Sequence, residues 1–150
     1  MPETATLELP TLDAPLFDPQ AGVPEGDDAW RARLTPEQYR IARKEGTERP
    51  FTPGAHHDER RPGAYHCVGC GGELWNSEHK FESGTGWPSF YRPVAPSAVR
   101  SKTDFKMILP RTEVHCAGCG SHMGHVFRDG PAPTGLRYCI NGTVLKFAPK

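Results

Sequence analysis

The sequence predicts a small, mainly β domain with a helical N-terminal flank, and three observations carry that reading. Gly and Pro are plentiful at 16 each in 150 residues. Neither is tolerated well inside helices, so short strands joined by many turns are expected. Beyond residue 64 the segments AYHCVGCGGELW, AVRSKTDFKMILPRTEVHC and RYCINGTVLKF carry short β-branched and aromatic runs with partial alternation. Finally, two matched C-x-x-C pairs, CVGC at 67–70 and CAGC at 116–119, read as knuckles on separate hairpins. No internal repeat of solenoid length interrupts the pattern.

Taken in order, residues 1–32 form an acidic leader ahead of a domain at 33–150. Up to residue 34 the chain holds five prolines, seven acidic residues and scattered single apolar positions. Such a stretch buries too little apolar surface to offset the entropy of ordering, and is expected to be disordered or loosely packed. The first element with clear signals is TPEQYRIARKEG, 35–46. Thr35 suits the N-cap, Pro36 the first helical position and Gln38 the third position of a capping box. Lys44 falls in the last turn, and Gly46 suits a left-handed C-terminal position.

Bulk properties exclude several function classes. Lys+Arg and Asp+Glu cancel at 18 each, so neither nucleic acid nor an anionic membrane surface is an expected partner. No apolar run approaches the roughly 20 residues that span a bilayer. The first 20 residues lack the basic and apolar regions of a secretory signal. A cytoplasmic setting follows as the expectation, and there paired cysteines more often mean metal or catalysis than disulfides.

Four of the five cysteines, Cys67, Cys70, Cys116 and Cys119, form two knuckles that each run on into glycine. Together they supply four thiolates, the tetrahedral set that structural Zn2+ prefers. Two disulfides or a redox C-x-x-C are the competing readings, but a redox pair needs one motif in a strand-to-helix setting. A closed tetrathiolate leaves no open position for water, so its contribution is to folding. His66 and His115 each precede a knuckle cysteine and could substitute as ligands, although four cysteines make that unnecessary. Cys139 remains alone in LRYCINGTV.

His122 and His125 lie three apart in SHMGHVFRDGP. In a regular strand they need not share a face; Gly124 permits a bend that would aim both at one point. They are either packing residues or part of a site. His56 and His57, in the polar GAHHDERR, are expected to be solvated. Trp87 in ESGTGWPSF is either core or the wall of a ligand pocket.

The motifs TPEQYRIARKEGTERPF, CVGCGGELW, FESGTGWPSF, RTEVHCAGCGSHMGHVFRDGP and TGLRYCINGTVLKF, in that order, resemble the methionine-R-sulfoxide reductase (MsrB) family over about 33–150. The resemblance implies a β-tent-like fold of two antiparallel sheets with short N-terminal helices, one structural Zn2+ on the four paired cysteines, and reduction of methionine-R-sulfoxide, chiefly in proteins. It implies Cys139 as nucleophile, Trp87 as the pocket for the substrate methyl group, and His122, His125 and Asn141 lining the site, with Arg137 close by. Thioredoxin or another thiol would be the reductant, and the protein is expected to act as a monomer.

Residue chemistry agrees with that implication. A sulfoxide sulfur becomes electrophilic once its oxygen is protonated or hydrogen-bonded, so the reaction needs a thiolate and an acid on opposite sides of one small group. Arg137 and a protonated histidine are expected to lower the pKa of Cys139 from the ordinary value of about 8.5. Two positions depart from the family. Where many relatives carry a resolving cysteine before the tryptophan, this chain has Ser83, Gly84, Thr85 and Gly86. Where many have serine after the motif asparagine, it has Gly142. With four cysteines on the metal and one in catalysis, none is left to resolve a sulfenic acid. The rival classes are a non-catalytic zinc-containing β-tent binding module, which gives no reason for Cys139 beside two histidines and Arg137, and a nucleic-acid-binding zinc ribbon, which the neutral charge disfavours.

Overall fold

The structure, a computed structural model, describes residues 23–105 and 110–150. The expectations for residues 1–22, and for 106–109 within the AVRSKTDFKMILPRTEVHC segment, lie outside the described residues.

Among the described residues, two short helices come first. In α1, Asp27–Arg33, Asp27 and Asp28 sit in the first turn and Arg31 and Arg33 in the last, each complementing the helix dipole. The 32/33 boundary expected from sequence falls on this helix, whose Trp30 is buried. α2, Pro36–Lys44, follows with the capping box anticipated: the Thr35 side chain accepts from Gln38 N (3.1 Å) and Gln38 Oε1 accepts from Thr35 N (2.9 Å). Its buried residues are Tyr39, Ile41 and Ala42. The left-handed position belongs to Glu45 (φ 57°) and not to Gly46. Gly46 instead donates its N–H to Arg40 O (3.0 Å), at a point where a Cβ would lie 2.9 Å from that oxygen.

Among the described residues, nine strands form two antiparallel sheets, and the two-sheet arrangement is the one expected. β1 (Gly63–Cys67) pairs with β2 (Glu73–Asn76) and with β9 (Leu145–Pro149), giving the order β2-β1-β9. The larger sheet contains β3 (Lys80–Phe81), β4 (Ser89–Phe90), β5 (Val99–Asp104), β6 (Arg111–Cys116), β7 (His122–Phe127) and β8 (Arg137–Ile140). Its order is β3-β4-β8-β7-β6-β5.

Aromatic packing joins the sheets. Trp75 of β2 stacks on Phe90 of β4 (centroids 5.0 Å, 17°), and Tyr65 of β1 meets Phe90 edge-on (5.3 Å). Trp75, Tyr65, Phe90, Leu74, Met123, Ile140 and Ile41 are among the largest fully buried side chains. His56, expected in solvent, is half-buried in this assembly: its ring lies edge-on to Tyr65 (5.7 Å) and Nε2 is 3.2 Å from Leu145 O. Burial lowers its pKa. His57 is half-buried against Phe51 (5.3 Å). The sequence reading failed here because polar neighbours in a loop say nothing about what the loop is packed against.

Candidate active site and metal centre

The two knuckles are local copies of one turn. Cys67 N donates to Gly72 O (2.9 Å) and Cys116 N to Ser121 O (2.8 Å); Gly71 N and Gly120 N return to Cys67 O and Cys116 O, both at 2.8 Å. Gly71 and Gly120 both have φ 78°, a left-handed conformation that glycine adopts without Cβ strain. The histidines before the knuckles bond across the turn, His66 Nδ1 at 2.9 Å from Gly71 O and His115 Nδ1 at 3.2 Å from Gly120 O. They brace the turns and are not needed as ligands.

All four knuckle thiols converge. Cys67 Sγ lies 3.6 Å from Cys119 Sγ, and Cys70 Sγ lies 3.5 Å from Cys116 Sγ. Tetrahedral zinc with bonds of about 2.3 Å spaces its sulfurs by roughly 3.8 Å, so this donor set fits the ion. Gly69 N and the Ser121 hydroxyl reach Cys67 Sγ (3.3 Å) and Cys119 Sγ (3.1 Å), dipoles suited to thiolates. Donation from Cys116 and the other knuckle thiols holds Cys119 far below an ordinary thiol pKa. The helices close over the centre. Arg33 Nη1 donates to Gly69 O (2.6 Å), Arg43 Nη1 donates to Cys119 O (3.0 Å), and the Arg43 guanidinium lies 4.0 Å from the Trp30 ring centroid.

The fifth cysteine sits elsewhere, on β8 in the middle of the larger sheet. Its register partners are Ser89 on β4 and His125 on β7. Two-residue periodicity puts Arg137 and Cys139 on one face of β8, while Ile140 faces the core. A cavity of about 340 Å3 opens over that face, lined by Thr47, Thr85, Trp87, Arg111, Gly124, His125, Phe127, Arg137, Cys139 and Asn141. Five of the site residues expected from sequence therefore surround one cavity: Cys139, Trp87, His125, Arg137 and Asn141.

His122 does not line it. It is 2% exposed and lies behind His125, ring to ring (5.6 Å, 74°). The two imidazoles still share a side of β7, because the β6–β7 ladder slips. Val114 pairs with Gly124 but His115 with His122, so Met123 is a bulged residue. Gly124 is needed for close approach, since a Cβ there would stand 2.1 Å from Cys139 O. The bend anticipated at Gly124 exists, and its effect is to layer the histidines rather than aim both at the cavity.

Asn141 and Trp87 are held by a residue that sequence reading passed over. Glu48 is 2% exposed. Its backbone N donates to Asn141 Oδ1 (3.0 Å) and its backbone O accepts from Trp87 Nε1 (3.1 Å). Its carboxylate accepts from Gly142 N (3.1 Å), Thr143 N (2.7 Å) and Thr143 Oγ1 (2.6 Å). Burial raises the Glu48 pKa, and the bonds from Thr143 and Gly142 oppose that shift. The Asn141 Nδ2 donates to Met123 O (3.1 Å), so this side chain ties the backbone of β7 between the two histidines. At Gly142, where many relatives are expected to have serine, a Cβ would lie 1.6 Å from Ala55 O; the loop carrying Ala55 fills that space. Glu48 in TERPF looks like any loop glutamate, and only its contacts with residues more than 90 positions away mark it out.

The electrostatics of Cys139 differ from the sequence expectation. Burial pushes its pKa above the ordinary thiol value; the Arg137 charge and the Thr85 hydroxyl oppose this without reversing it. Arg137 is itself committed, with Nε and Nη2 donating to the Asp129 carboxylate (2.9 and 3.2 Å) and its guanidinium 4.5 Å from the Phe127 ring centroid. Its positive charge is thereby shared before it reaches the sulfur.

A lone cysteine in an aromatic-walled cavity, apart from a cluster of four cysteines that could hold a metal ion, in a two-sheet β fold, defines the class: a small β domain with a candidate metal centre and a separate thiol-bearing cavity. Comparison narrows the class. The SelR domain family model matches residues 34–149. The chain is 56% identical over 127 residues to a peptide methionine sulfoxide reductase MsrB from Thiobacillus denitrificans, covering 85% of this chain and 96% of that one. It is 50% identical over 139 residues to an MsrB from a Synechococcus species (93% and 99% covered), and 58% identical over 119 residues to one from Cellvibrio japonicus (79% and 84%). The chain belongs to the SelR-domain, MsrB family.

Proposed function

We propose that this protein is a peptide-methionine (R)-S-oxide reductase that repairs oxidised methionines in other proteins, with residues 33–150 as the catalytic unit. One observation carries the reading most: the only cysteine outside the metal cluster opens into a cavity walled by Trp87 and Phe127, with His125 as its cross-strand neighbour. The curated relatives named as methionine sulfoxide reductases support it.

In this mechanism Trp87 holds the substrate methyl group by apolar contact. The Cys139 thiolate attacks the sulfoxide sulfur while His125, with His122 behind it, supplies a proton to the oxygen. The sulfur gains two electrons and leaves as methionine; Cys139 loses two and carries the oxygen as a sulfenic acid. Asn141 acts by fixing β7 beneath His125. Chirality follows because methyl, oxygen and peptide chain each have one place to go. Zn2+ held by Cys67, Cys70, Cys116 and Cys119 supplies folding free energy and no chemical step.

The cycle uses one cysteine. An external thiol or thioredoxin attacks the sulfenic acid, releases water and leaves a mixed disulfide, which a second thiol resolves. The stretch before Trp87, where many relatives are expected to carry a resolving cysteine, reads Ser83, Gly84, Thr85 and Gly86 here, and Thr85 lines the cavity beside Cys139. None of the five cysteines is in a disulfide. A reducing cytoplasm is the setting in which such a cycle runs, and a monomer suffices for it.

The test is incubation with dithiothreitol and both epimers of a methionine sulfoxide derivative. Loss of the R epimer alone is expected, whereas loss of neither would leave a binding module. Cys139→Ser should abolish turnover while retaining one zinc per chain, and turnover by that variant would sink the mechanism. Mass spectrometry after a single turnover without reductant should find a sulfenic acid, trapped by dimedone. A disulfide from Cys139 to any other cysteine would refute the one-cysteine cycle.

A further inference from the structure

Behind the cavity, Glu113, His115 and His122 form a second convergence of donor atoms, all within 4.8 Å of one another. We propose that these three residues are a binding site for a divalent d-block cation such as Zn2+ or Co2+, distinct from the tetrathiolate centre and inhibitory when filled.

The backbone builds the site. Glu113 and His115 are two apart on β6 and so point to one side, and His122 is the cross-strand partner of His115 on β7. The bulge at Met123 keeps His122 on that side, a placement a regular ladder would not give. Glu113 Oε1 lies 2.8 Å from His115 Nε2 and 4.0 Å from His122 Nδ1. Bonds of about 2.0–2.2 Å to nitrogen and oxygen place ligand atoms about 3–3.5 Å apart, a spacing the observed pair brackets.

Tautomer logic points the same way. His115 Nδ1 faces Gly120 O (3.2 Å), and a carbonyl only accepts, so the ring proton belongs on Nδ1. The Nε2 side of the ring is thereby turned to the Glu113 carboxylate at 2.8 Å, where either a proton or a metal ion can bridge the two groups. A carbonyl that holds the far nitrogen of a ligating histidine is the usual outer support of a metal site. One carboxylate and two imidazoles suit borderline cations over Mg2+ or Ca2+. Glu113 and His122 are 2% exposed, whereas the more accessible His115 borders a shallow cavity with Glu45, Ser101 and Gly118, giving the ion a way in. With one anionic ligand against four, this site should fill only after the cysteines.

Inhibition rests on the reductase reading; binding does not. His122 touches the His125 ring edge-on, so an ion on His122 puts positive charge beside the group proposed to carry the proton.

The experiment titrates protein already holding one zinc with further Zn2+ at pH 7.5, followed by equilibrium dialysis. Two zinc ions per wild-type chain and one per His115→Ala chain are expected. The histidine ring nitrogens of wild type, followed by 15N NMR, should show His115 and His122 shifting together at the second equivalent; this keeps the test valid if the variant folds poorly. A ratio that stays at one, a second ion retained by His115→Ala, or shifts confined to other histidines would overturn the site. Reductase activity should fall at least about fivefold at the second equivalent in wild type and not in His115→Ala. Binding without that loss would overturn the inhibitory role alone.

Discussion

Cys139 is a half-buried thiol whose surroundings pull both ways. Burial raises its pKa; the Arg137 charge and the Thr85 hydroxyl lower it, and burial prevails. The sign for reactivity follows directly. Below its pKa the thiolate fraction grows tenfold per pH unit, and the thiolate is the nucleophile. Alkylation of zinc-loaded protein by iodoacetamide should therefore accelerate about tenfold per unit between pH 6.5 and 8.5. A rate flat over that range would mean the thiolate is already formed. Arg137→Gln removes an opposing charge and should slow alkylation at every pH in the window. The same shift bears on stability. A thiol whose folded pKa is raised favours the folded state below the unfolded value of about 8.5, and that contribution is lost as pH rises through the folded one. The identity of the nucleophile was legible from arithmetic on five cysteines. Its acidity was not, because RYCIN displays an arginine two residues away and conceals both Asp129 and the burial.

At the scale of elements, the site depends on how β7 and β8 are held. Gly124→Ala would set a methyl group 2.1 Å from Cys139 O. It should cost at least about 2 kcal/mol in urea denaturation, because the strands must part for it to fit. Glu48 does comparable work from a loop, accepting three hydrogen bonds from the turn after Asn141 while its backbone holds Trp87 and Asn141. Glu48→Ala strands buried donors, and we expect a loss of about 3 kcal/mol with a lower kcat/KM. Unchanged stability would show that water replaces the carboxylate. The N-terminal cap of α2 was readable because Thr35, Pro36 and Gln38 are contiguous. α1 was implied only by the family resemblance and not by its own residues: its Trp30 stands in a mostly polar stretch, and its packing partner Gly69 lies 39 positions on, with a Cβ there 2.7 Å from the indole.

For the whole molecule, the four knuckle cysteines lie where a metal ion held by them would clasp the two sheets together. Cys67 ends β1 in the smaller sheet and Cys116 ends β6 in the larger, and α1 and α2 are fastened to the same knuckles by Arg33 and Arg43. Chelation under mild denaturant, or Cys116→Ser, should then release zinc and unfold both sheets in one cooperative transition. It should not leave a folded, inactive domain; circular dichroism and zinc content measured together distinguish these. Among the described residues no helix is long and apolar enough to cross a membrane.

The sequence alone determined what local pattern encodes: the two knuckles with their glycines, the capping box of α2, the strand-rich C-terminal part and the isolation of Cys139. Each rests on residues within a few positions of one another, where backbone geometry is set by neighbours. Tertiary structure decided which side chains converge. His125 faces the cavity and His122 stands behind it because the β6–β7 ladder slips at Met123, and Glu48 matters because of residues more than 90 positions away. Register between distant strands and the burial it creates are sums over the whole chain, and no single motif carries them.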